Sequence, residues 1–266
     1  MQKEMGGAAS IDVVIVLYNS DLKEVKALGM LLENPLVNSV IVCDNSDDGG
    51  NHLIFEQHSE RIRVFSMGGN AGLSKAYNFA VSKCLADYIL ILDDDTELPA
   101  DYFNSVCSYL SCDNADVYMP MVWSREILMS PCAKRGKRFT ALNGKEDLVG
   151  TTLSGINSGL VVRRSVYDKV HYRESLFLDM VDHAFFDDVR AAGFRTSVMT
   201  DVSLMQDYSR ETDDFDTAKL RYRIAKRDNR TYFGQGFGNR VFCESQLFYW
   251  KLKRAIKFKC LSALAW

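Results

Sequence analysis

Two rhythms of hydrophobic and polar positions run through the first hundred residues. Ile11–Leu17 (IDVVIVL), Val40–Cys43, Ile62–Phe65 and Tyr88–Leu92 (YILIL) are apolar runs of strand length, rich in β-branched and aliphatic residues. Between them, Leu22–Leu32, His52–His58 and Leu73–Leu85 carry apolar residues at helical spacing. Strands apolar on both faces that alternate with helices predict an α/β fold, a mostly parallel central sheet flanked by helices. A helix near Pro99–Leu110 follows, then a less regular stretch from Cys112 to Gly150. Leu153–Val162 ends as a strand and leads to a short helix near Ser165–Val170, and a further helix stops at Gly193. Short strands near Thr196–Met199 and Val202–Met205 come next, and from Asp213 the pattern is helical to the end.

In such sheets ligands bind beyond the carboxyl ends of the strands. Those positions hold Tyr18-Asn19-Ser20, Asp44-Asn45-Ser46-Asp47-Asp48-Gly49, Gly68-Gly69-Asn70-Ala71-Gly72-Leu73-Ser74 and Asp93-Asp94-Asp95-Thr96. Each alone is an ordinary turn or cap, and Ser20 or Asp21 would start a helix well. All four together bring small, polar and acidic groups to one edge. The aspartate triplet is the sharpest of them, because three carboxylates after a buried strand repel one another unless a cation or hydrogen bonds satisfy them. Magnesium-like ions are held by one or two such carboxylates plus substrate phosphates. The plainer alternative is an acidic turn ahead of the next helix, although Thr96 alone would serve as its cap.

Composition narrows the class. At 266 residues, 47% hydrophobic and 25% charged, the chain suits one large domain with or without an appendage. A disordered chain, a collagen-like fibre and a disulfide-stapled mini-protein are excluded. The seven cysteines are scattered without a C-x-x-C pair, which predicts reduced, mostly buried thiols. Met1–Ser10 lacks the pattern of a signal peptide, and no run approaches the ~20 apolar residues that span a bilayer, so a cytoplasmic protein is expected. Lys134-Arg135-Gly136-Lys137-Arg138 reads as a solvated loop.

The segments VIVLYNS (14–20), VCDNSDDGG (42–50), GGNAGLSKAYN (68–78), LDDDT (92–96) and FLDMVDHAFFDDVRAAGF (177–194) resemble, in this order, the inverting nucleotide-sugar glycosyltransferases of family 2, which have the GT-A fold. The likeness spans roughly residues 11 to 207 and is greatest to bacterial rhamnosyl-, galactosyl- and galactofuranosyltransferases of surface-polysaccharide assembly. It implies a donor pocket floored by Tyr18 and Asn19, with Asp44 accepting a hydrogen bond from the base. Asn70, Gly72 and Lys75 would approach the nucleoside and diphosphate, with Asn78 one helical turn on. Asp93 would approach the ribose, Asp94 the donor sugar, and Asp95 would hold a divalent manganese or magnesium ion, with Asp93 as a further ligand. Asp182 matches the family's general base, with Asp179 as substitute, and Asp187 and Asp188 fit better as acids dressing a helix start. Ser154, Gly155, Asn157 and Ser158 would wall the donor sugar and acceptor, and His183 would stand beside them. An inverting transfer needs these parts: a carboxylate to take the acceptor's hydroxyl proton and a cation to stabilise charge on the departing diphosphate.

One departure bears on the metal. Many relatives carry a histidine after the last sheet strand, where this chain reads Val202-Ser203-Leu204-Met205-Gln206-Asp207-Tyr208. Asp207 could supply an oxygen ligand there, and Gln206 a weaker one.

The net charge of −3 conceals an asymmetry. Lys219–Lys259 holds twelve Lys or Arg against Asp228 and Glu244, a segment of +10, and leaves −13 for the remainder. Near-neutrality therefore does not argue against anionic partners, although the motifs point away from nucleic acid. Around Phe248–Lys259, Phe248, Leu252, Ala255 and Ile256 share a face opposed to Lys253, Arg254 and Lys257. A basic amphipathic helix of this kind suits the inner membrane surface; packing on the catalytic domain or on another subunit of a homo-oligomer is the alternative. The chain divides accordingly into a catalytic domain at 1–210, with a nucleotide-binding half at about 11–110 and an acceptor half at 111–210, and a basic helical extension at 211–266. The activity expected is transfer of a sugar, with inversion, from a UDP- or dTDP-sugar to a lipid-linked or growing glycan. A sugar-phosphate nucleotidyltransferase and an inactive transferase-like membrane scaffold are the rival readings.

Overall fold

A computed structural model describes residues 9–47, 60–142, 144–206 and 214–266. Four parallel strands, β1 (Ile11–Leu17), β2 (Val37–Asp44), β3 (Ile62–Ser66) and β4 (Tyr88–Leu92), form one half of the central sheet. The other half comprises β5 (Val117–Ser124), β10 (Leu160–Arg163) and β11 (Thr196–Met205), and the order across the sheet is β11-β5-β10-β4-β1-β2-β3. Strand β6 (Ile127–Ser130) pairs with β5, and β7 (Cys132–Arg135), β8 (Arg138–Ala141) and β9 (Leu153–Ser154) form a small second sheet. Of the seven strands in the main path only β10 runs against its neighbours, antiparallel to both β4 and β5.

Both faces of the sheet are covered. On one, α1 (Leu28–Glu33) and α3 (Tyr102–Cys112) pack on Val13, Ile15, Val40, Leu90 and Tyr118. On the other, α2 (Leu73–Val81) and α4 (Val181–Ala191) pack on Val14, Ile41, Ile89, Ile91 and Val162. Helices α5 (Phe215–Phe233) and α6 (Phe237–Phe258) build a third cluster, which reaches the rest of the molecule through Phe139, Met180 and Tyr232. A polar residue inside β1, Asp12, is fully buried yet satisfied. Its carboxylate accepts from Asn38 Nδ2 and Ser39 Oγ and from the backbone N–H groups of Leu85 and Ala86.

The structure departs from the expected elements in definite places. Leu22–Leu32 is a 3₁₀ turn at Leu22–Glu24 followed by the short α1, and Ser165–Val170 is a 3₁₀ segment at Arg164–Asp168. The stretch read as irregular holds β5 and two hairpins. Pro120 disguises β5: it sits mid-strand, beyond the residues paired with β10 and beside the register irregularity of β11 between Met199 and Ser203, where the missing N–H is tolerated. The basic run 134–138 is the β7–β8 hairpin rather than a loop, turned by Gly136 at φ +62°. Its Lys134 is half-buried against Asp187 and Tyr232. Thr96 caps nothing; α3 begins six residues later, at Tyr102. The helix expected at His52–His58 lies outside the described residues. All seven thiols are free, four of them buried. Among the described residues no helix is long and apolar enough to cross a membrane.

Candidate active site

Strand register brings the expected residues to one edge. Leu17 of β1 pairs with Asp44 of β2, Asp44 with Ser66 of β3, and Ile15 with Leu92 of β4, so four strands end at the same level. Because β10 runs the other way, its leading segment Ser154–Gly159 arrives at that edge too, with Leu160 opposite Ile91. An isolated bridge from Met205 to Glu97 delivers Gln206, just beyond β11, to the aspartate triplet.

Loop-to-loop hydrogen bonds knit the strand-end loops that the sequence assigns to the donor. Asn19, at φ +51°, donates its backbone N–H to Ser46 Oγ at 2.8 Å, and the exposed Tyr18 hydroxyl donates to Asp47 at 3.0 Å. Buried Asp44 accepts from the Ser46 N–H at 3.0 Å. Asn45 accepts from the Ala71 N–H at 2.8 Å and donates to Asn70 Oδ1 at 3.2 Å, which also accepts from the Gly72 N–H. Gly72 has φ +89°, and a Cβ there would stand 2.6 Å from the Phe177 ring, so glycine is required on two grounds. Lys75 is exposed on the first turns of α2. Asn78 departs from its expected place at the ligand: its amide is engaged with the backbone of Tyr172, donating to the carbonyl at 2.9 Å and accepting from the N–H at 2.9 Å.

The acids follow at the centre. Asp93 accepts from the Ser158 hydroxyl, from Gln206 Nε2 at 2.9 Å and from the Tyr77 hydroxyl at 3.4 Å. Asp94 turns away to accept from Ser20 Oγ at 2.6 Å. Asp95 lies 3.5 Å from the same Gln206 nitrogen. Burial raises the Asp93 carboxyl above the usual range, and the Asp94 charge adds to that. Asp95 is raised by burial and by the charges of Asp93 and Asp94. Asp182, in the first turn of α4, accepts from Asn157 Nδ2 at 2.6 Å. Burial foremost, then the charges of Asp93 and Asp179, push it up to about 8.

The segment expected to wall the sugars borders the cavity through Asn157 and also hydrogen-bonds the neighbouring polar side chains. Ser154 Oγ is 2.8 Å from His183 Nδ1, Asn157 bonds Asp182, and Ser158 bonds Asp93. Gly155 is buried; a Cβ would come within 2.3 Å of Met119 Sδ. His183 stacks on Phe139, with centroids 3.7 Å apart and planes 10° apart. Asp187 and Asp188, expected to dress a helix start, lie in the body of α4 and pair with Lys134 and Arg173. Asp207 lies outside the described residues.

Sequence reasoning counted one further residue only as a charge. Asp228 of α5 is fully buried, and its Oδ2 accepts from three consecutive backbone N–H groups, those of Phe177, Leu178 and Asp179, at 3.1, 2.8 and 2.9 Å. Its other oxygen accepts from Arg227. The clamped segment leads into α4 and Asp182, and its Phe177 carbonyl accepts from the Leu73 N–H of the glycine loop at 2.6 Å. The signal available was an acid far from the first turn of a strongly basic helix, whose other acid is Asp216 at its start.

A cavity of about 700 Å³ extends from Asp93 and Asp182 along Asn157 and His183 to α5 and α6. It is large enough for a small-molecule substrate, for which roughly 300–1,000 Å³ is usual.

Comparisons with known proteins bear on the fold and the family. A curated relative, "dTDP-rhamnosyl transferase RfbF" of Shigella flexneri, is 26% identical over 186 residues, 65% of this chain and 61% of the relative, so the chain matches less than two thirds of that protein's length. Two solved structures share the fold. GalNAc-T7, solved with UDP, GalNAc and Mn2+, aligns with TM-score 0.58 at 13% identity, covering 76% of this chain and 44% of that one. Residues 1–349 of TarS from S. aureus align with TM-score 0.54 at 14% identity, covering 94% and 72%. These neighbours are GT-A glycosyltransferases, and the mostly parallel sheet with flanking helices is that fold. The model of glycosyl transferase family 2 matches residues 12–170, and the chain belongs to that family.

Proposed function

We propose that this chain moves one sugar, with inversion at the anomeric carbon, from a UDP- or dTDP-activated donor to a lipid-linked or growing glycan. The observation that carries the reading is the placement of Asp182 at the cavity wall with its carboxyl raised to about 8. A base in that range takes a hydroxyl proton far more readily than an ordinary carboxylate. Asn157 holds the carboxyl through its side-chain amide and its backbone, and the group borders the cavity that an acceptor hydroxyl would enter. The donor would lie along Tyr18, Asn19, Asp44, Asn70 and Lys75, at the strand ends that residues 11–110 supply.

A divalent cation suits Asp93 and Asp95. Both carboxyls are raised by burial and by their neighbours' charges, a strain that a cation relieves. Among the described residues no three acidic, imidazole or thiolate groups are gathered to hold a metal unaided, so substrate phosphate would complete the set. When bound, the ion would stabilise charge on the departing nucleoside diphosphate. Gln206, now donating to both carboxylates, can present its amide oxygen after a half-turn of the side chain.

The outer face of α6 supports peripheral attachment to the inner face of the plasma membrane. Val241, Phe248, Leu252 and Ile256 are exposed along it, with Lys253 beside them.

The test is transfer from a panel of UDP- and dTDP-sugars to a lipid-linked acceptor analogue, with and without manganese, the product anomer being read by NMR. Turnover with inversion and its loss in Asp182→Asn are expected. Absence of turnover with every donor, or an unchanged rate in Asp182→Asn, overturns the assignment.

A further inference from the structure

Asn78 belongs by sequence to the glycine-loop motif, and the structure gives it other work. It stands in α2, the helix that follows Gly72, and its amide clasps one residue at both backbone groups. It donates to the Tyr172 carbonyl and accepts from the Tyr172 N–H, each at 2.9 Å. Tyr172 is buried, and its ring packs on Tyr77 of α2 and on Phe185 of α4, with centroids 4.8 and 4.7 Å away. The place and plane of this ring are therefore set by the two helices that border the acids.

The Tyr172 hydroxyl reaches Asn157, donating to its Oδ1 at 3.4 Å. At its other end the Asn157 amide donates through Nδ2 to Asp182 at 2.6 Å, and the side chain also meets the Tyr77 hydroxyl. A side-chain amide has one accepting and one donating end, and its two senses differ by a half-turn. In the observed sense both ends are matched. In the reverse sense the amide oxygen would face the Asp182 carboxylate and the bond between them would be lost. Asn157 is itself buried, so water does not replace a lost partner. The Tyr172 oxygen also lies 3.4 Å from that of Tyr167, in the 3₁₀ segment, which can supply a proton while Tyr172 gives its own to Asn157. Neither Asn78 nor Tyr172 lines the cavity.

We propose that Asn78 and Tyr172 are positioning residues for the base: Asn78 fixes Tyr172 from α2, and the Tyr172 hydroxyl fixes the sense of the Asn157 amide that holds Asp182. The chain of contacts links the helix behind the proposed donor loop to the group that takes the acceptor's proton. It rests on the transferase reading and deepens it.

Steady-state kinetics on the full-length protein tests this with Tyr172→Phe, which removes the hydroxyl and keeps the ring. We expect kcat to fall about tenfold with the donor's KM within about twofold of wild type. The pH at which kcat/KM levels off should rise by about half a unit, because a carboxylate that loses a donor ionises less readily. Tyr167→Phe deletes a hydroxyl from the same buried pair, leaves the bond to Asn157 in place, and should keep the rate and the pH profile. In an Asn157→Ala background Tyr172→Phe should lower kcat no further. Asn78→Ala should lose kcat as Tyr172→Phe does, while UDP or dTDP with manganese binds as to wild type in calorimetry. An unchanged kcat and pH profile in Tyr172→Phe, an equal loss in Tyr167→Phe, losses that multiply in the Asn157→Ala background, or weakened nucleotide binding in Asn78→Ala each overturns the proposal. The Asp182 carboxyl carbon, followed by NMR in ¹³C-aspartate-labelled protein and assigned with Asp182→Asn, reads the same network without substrate. A titration midpoint raised by Tyr172→Phe and not by Tyr167→Phe, with no nucleotide sugar turned over, would sink the transferase reading and leave the network standing. Turnover with a midpoint and rate indifferent to Tyr172 would do the reverse.

Discussion

Asp182 combines two properties that pull in opposite directions. As the proposed base it must be ionised, and its surroundings resist ionisation: burial and the charges of Asp93 and Asp179 hold its carboxyl at about 8. In the free enzyme kcat/KM should therefore climb about tenfold per pH unit and level off near pH 8, a profile that steady-state kinetics from pH 5.5 to 9 will read. Folded-state stability runs the other way. An aspartate near 3.9 when unfolded and near 8 when folded favours the fold fully below about pH 4, and that contribution drains away as pH rises through 8. Asp182→Asn removes the loss, and its amide oxygen can still accept from Asn157. The variant should lose about 10²–10⁴-fold in kcat while melting higher than wild type at pH 8, with the gap narrowing toward pH 5. Solvent reaches the side chain in part, so the gain is set at roughly 1–3 kcal/mol, below the roughly 5–6 kcal/mol that about four units of full shift would give at ~1.4 kcal/mol each. A melting temperature unchanged at pH 8 would refute this account of the environment. The strand-end acids were legible because a carboxylate after an apolar run is visible in one stretch of sequence. Their partners were not: Ser158 for Asp93, Asn157 for Asp182 and Gln206 between two aspartates are 65, 25 and 113 or 111 positions away.

At the scale of elements, the tie that matters runs from α5 through the segment before α4 to the glycine loop before α2. Asp228 gathers the N–H groups of 177–179, Phe177 O accepts from Leu73, and the Phe177 ring fills the space that Gly72 leaves. The loop proposed for the donor and the segment that leads to the proposed base thus share one support. Asp228→Asn replaces an oxygen that accepts three N–H bonds with a group that also donates, which should cost about 2–3 kcal/mol in stability. Below its melting temperature the variant should show kcat reduced about tenfold or more, with the nucleotide's affinity changed far less. Full kcat at 20 °C would confine Asp228 to stability. Gly72→Ala loads the same support from the other side, through an unfavourable φ and the clash with Phe177. It should cost roughly 1–3 kcal/mol and raise the donor's KM, measurable by thermal melting and initial rates. Strands β1, β3 and β4 matched their apolar runs within a residue, since burial on both faces leaves an unbroken signature. β5 escaped because Pro120 argues against a central strand, and it is tolerated only through partners distant in sequence.

For the whole molecule the question is what the C-terminal helices are for, and the charge division frames it. The segment carrying +10 of charge is anchored inward by Asp228, by the Tyr232–Asp187 hydrogen bond and by the apolar cluster that takes in Phe139 and Met180. Anchorage alone does not account for the outer face of α6, where Phe248 is 64%, Leu252 43% and Ile256 70% exposed. Of the residues expected to share one face, only Ala255 is buried. The helix has 22 residues and spans about 33 Å at 1.5 Å per residue, long enough to lie along a leaflet with lysines reaching anionic headgroups. Replacing Phe248, Leu252 and Ile256 together by serine removes exposed apolar surface that the fold does not use, so the melting temperature should fall by no more than a degree or two. Cosedimentation with phosphatidylglycerol vesicles should drop at least tenfold, while transfer to a water-soluble acceptor proceeds at the wild-type rate, because neither Asp182 nor the cavity-facing stripe of α6 is touched. Sedimentation velocity decides the competing explanation. If the wild type is a dimer that the triple variant dissociates, with vesicle binding unaltered, the stripe is an interface between copies and the membrane assignment falls.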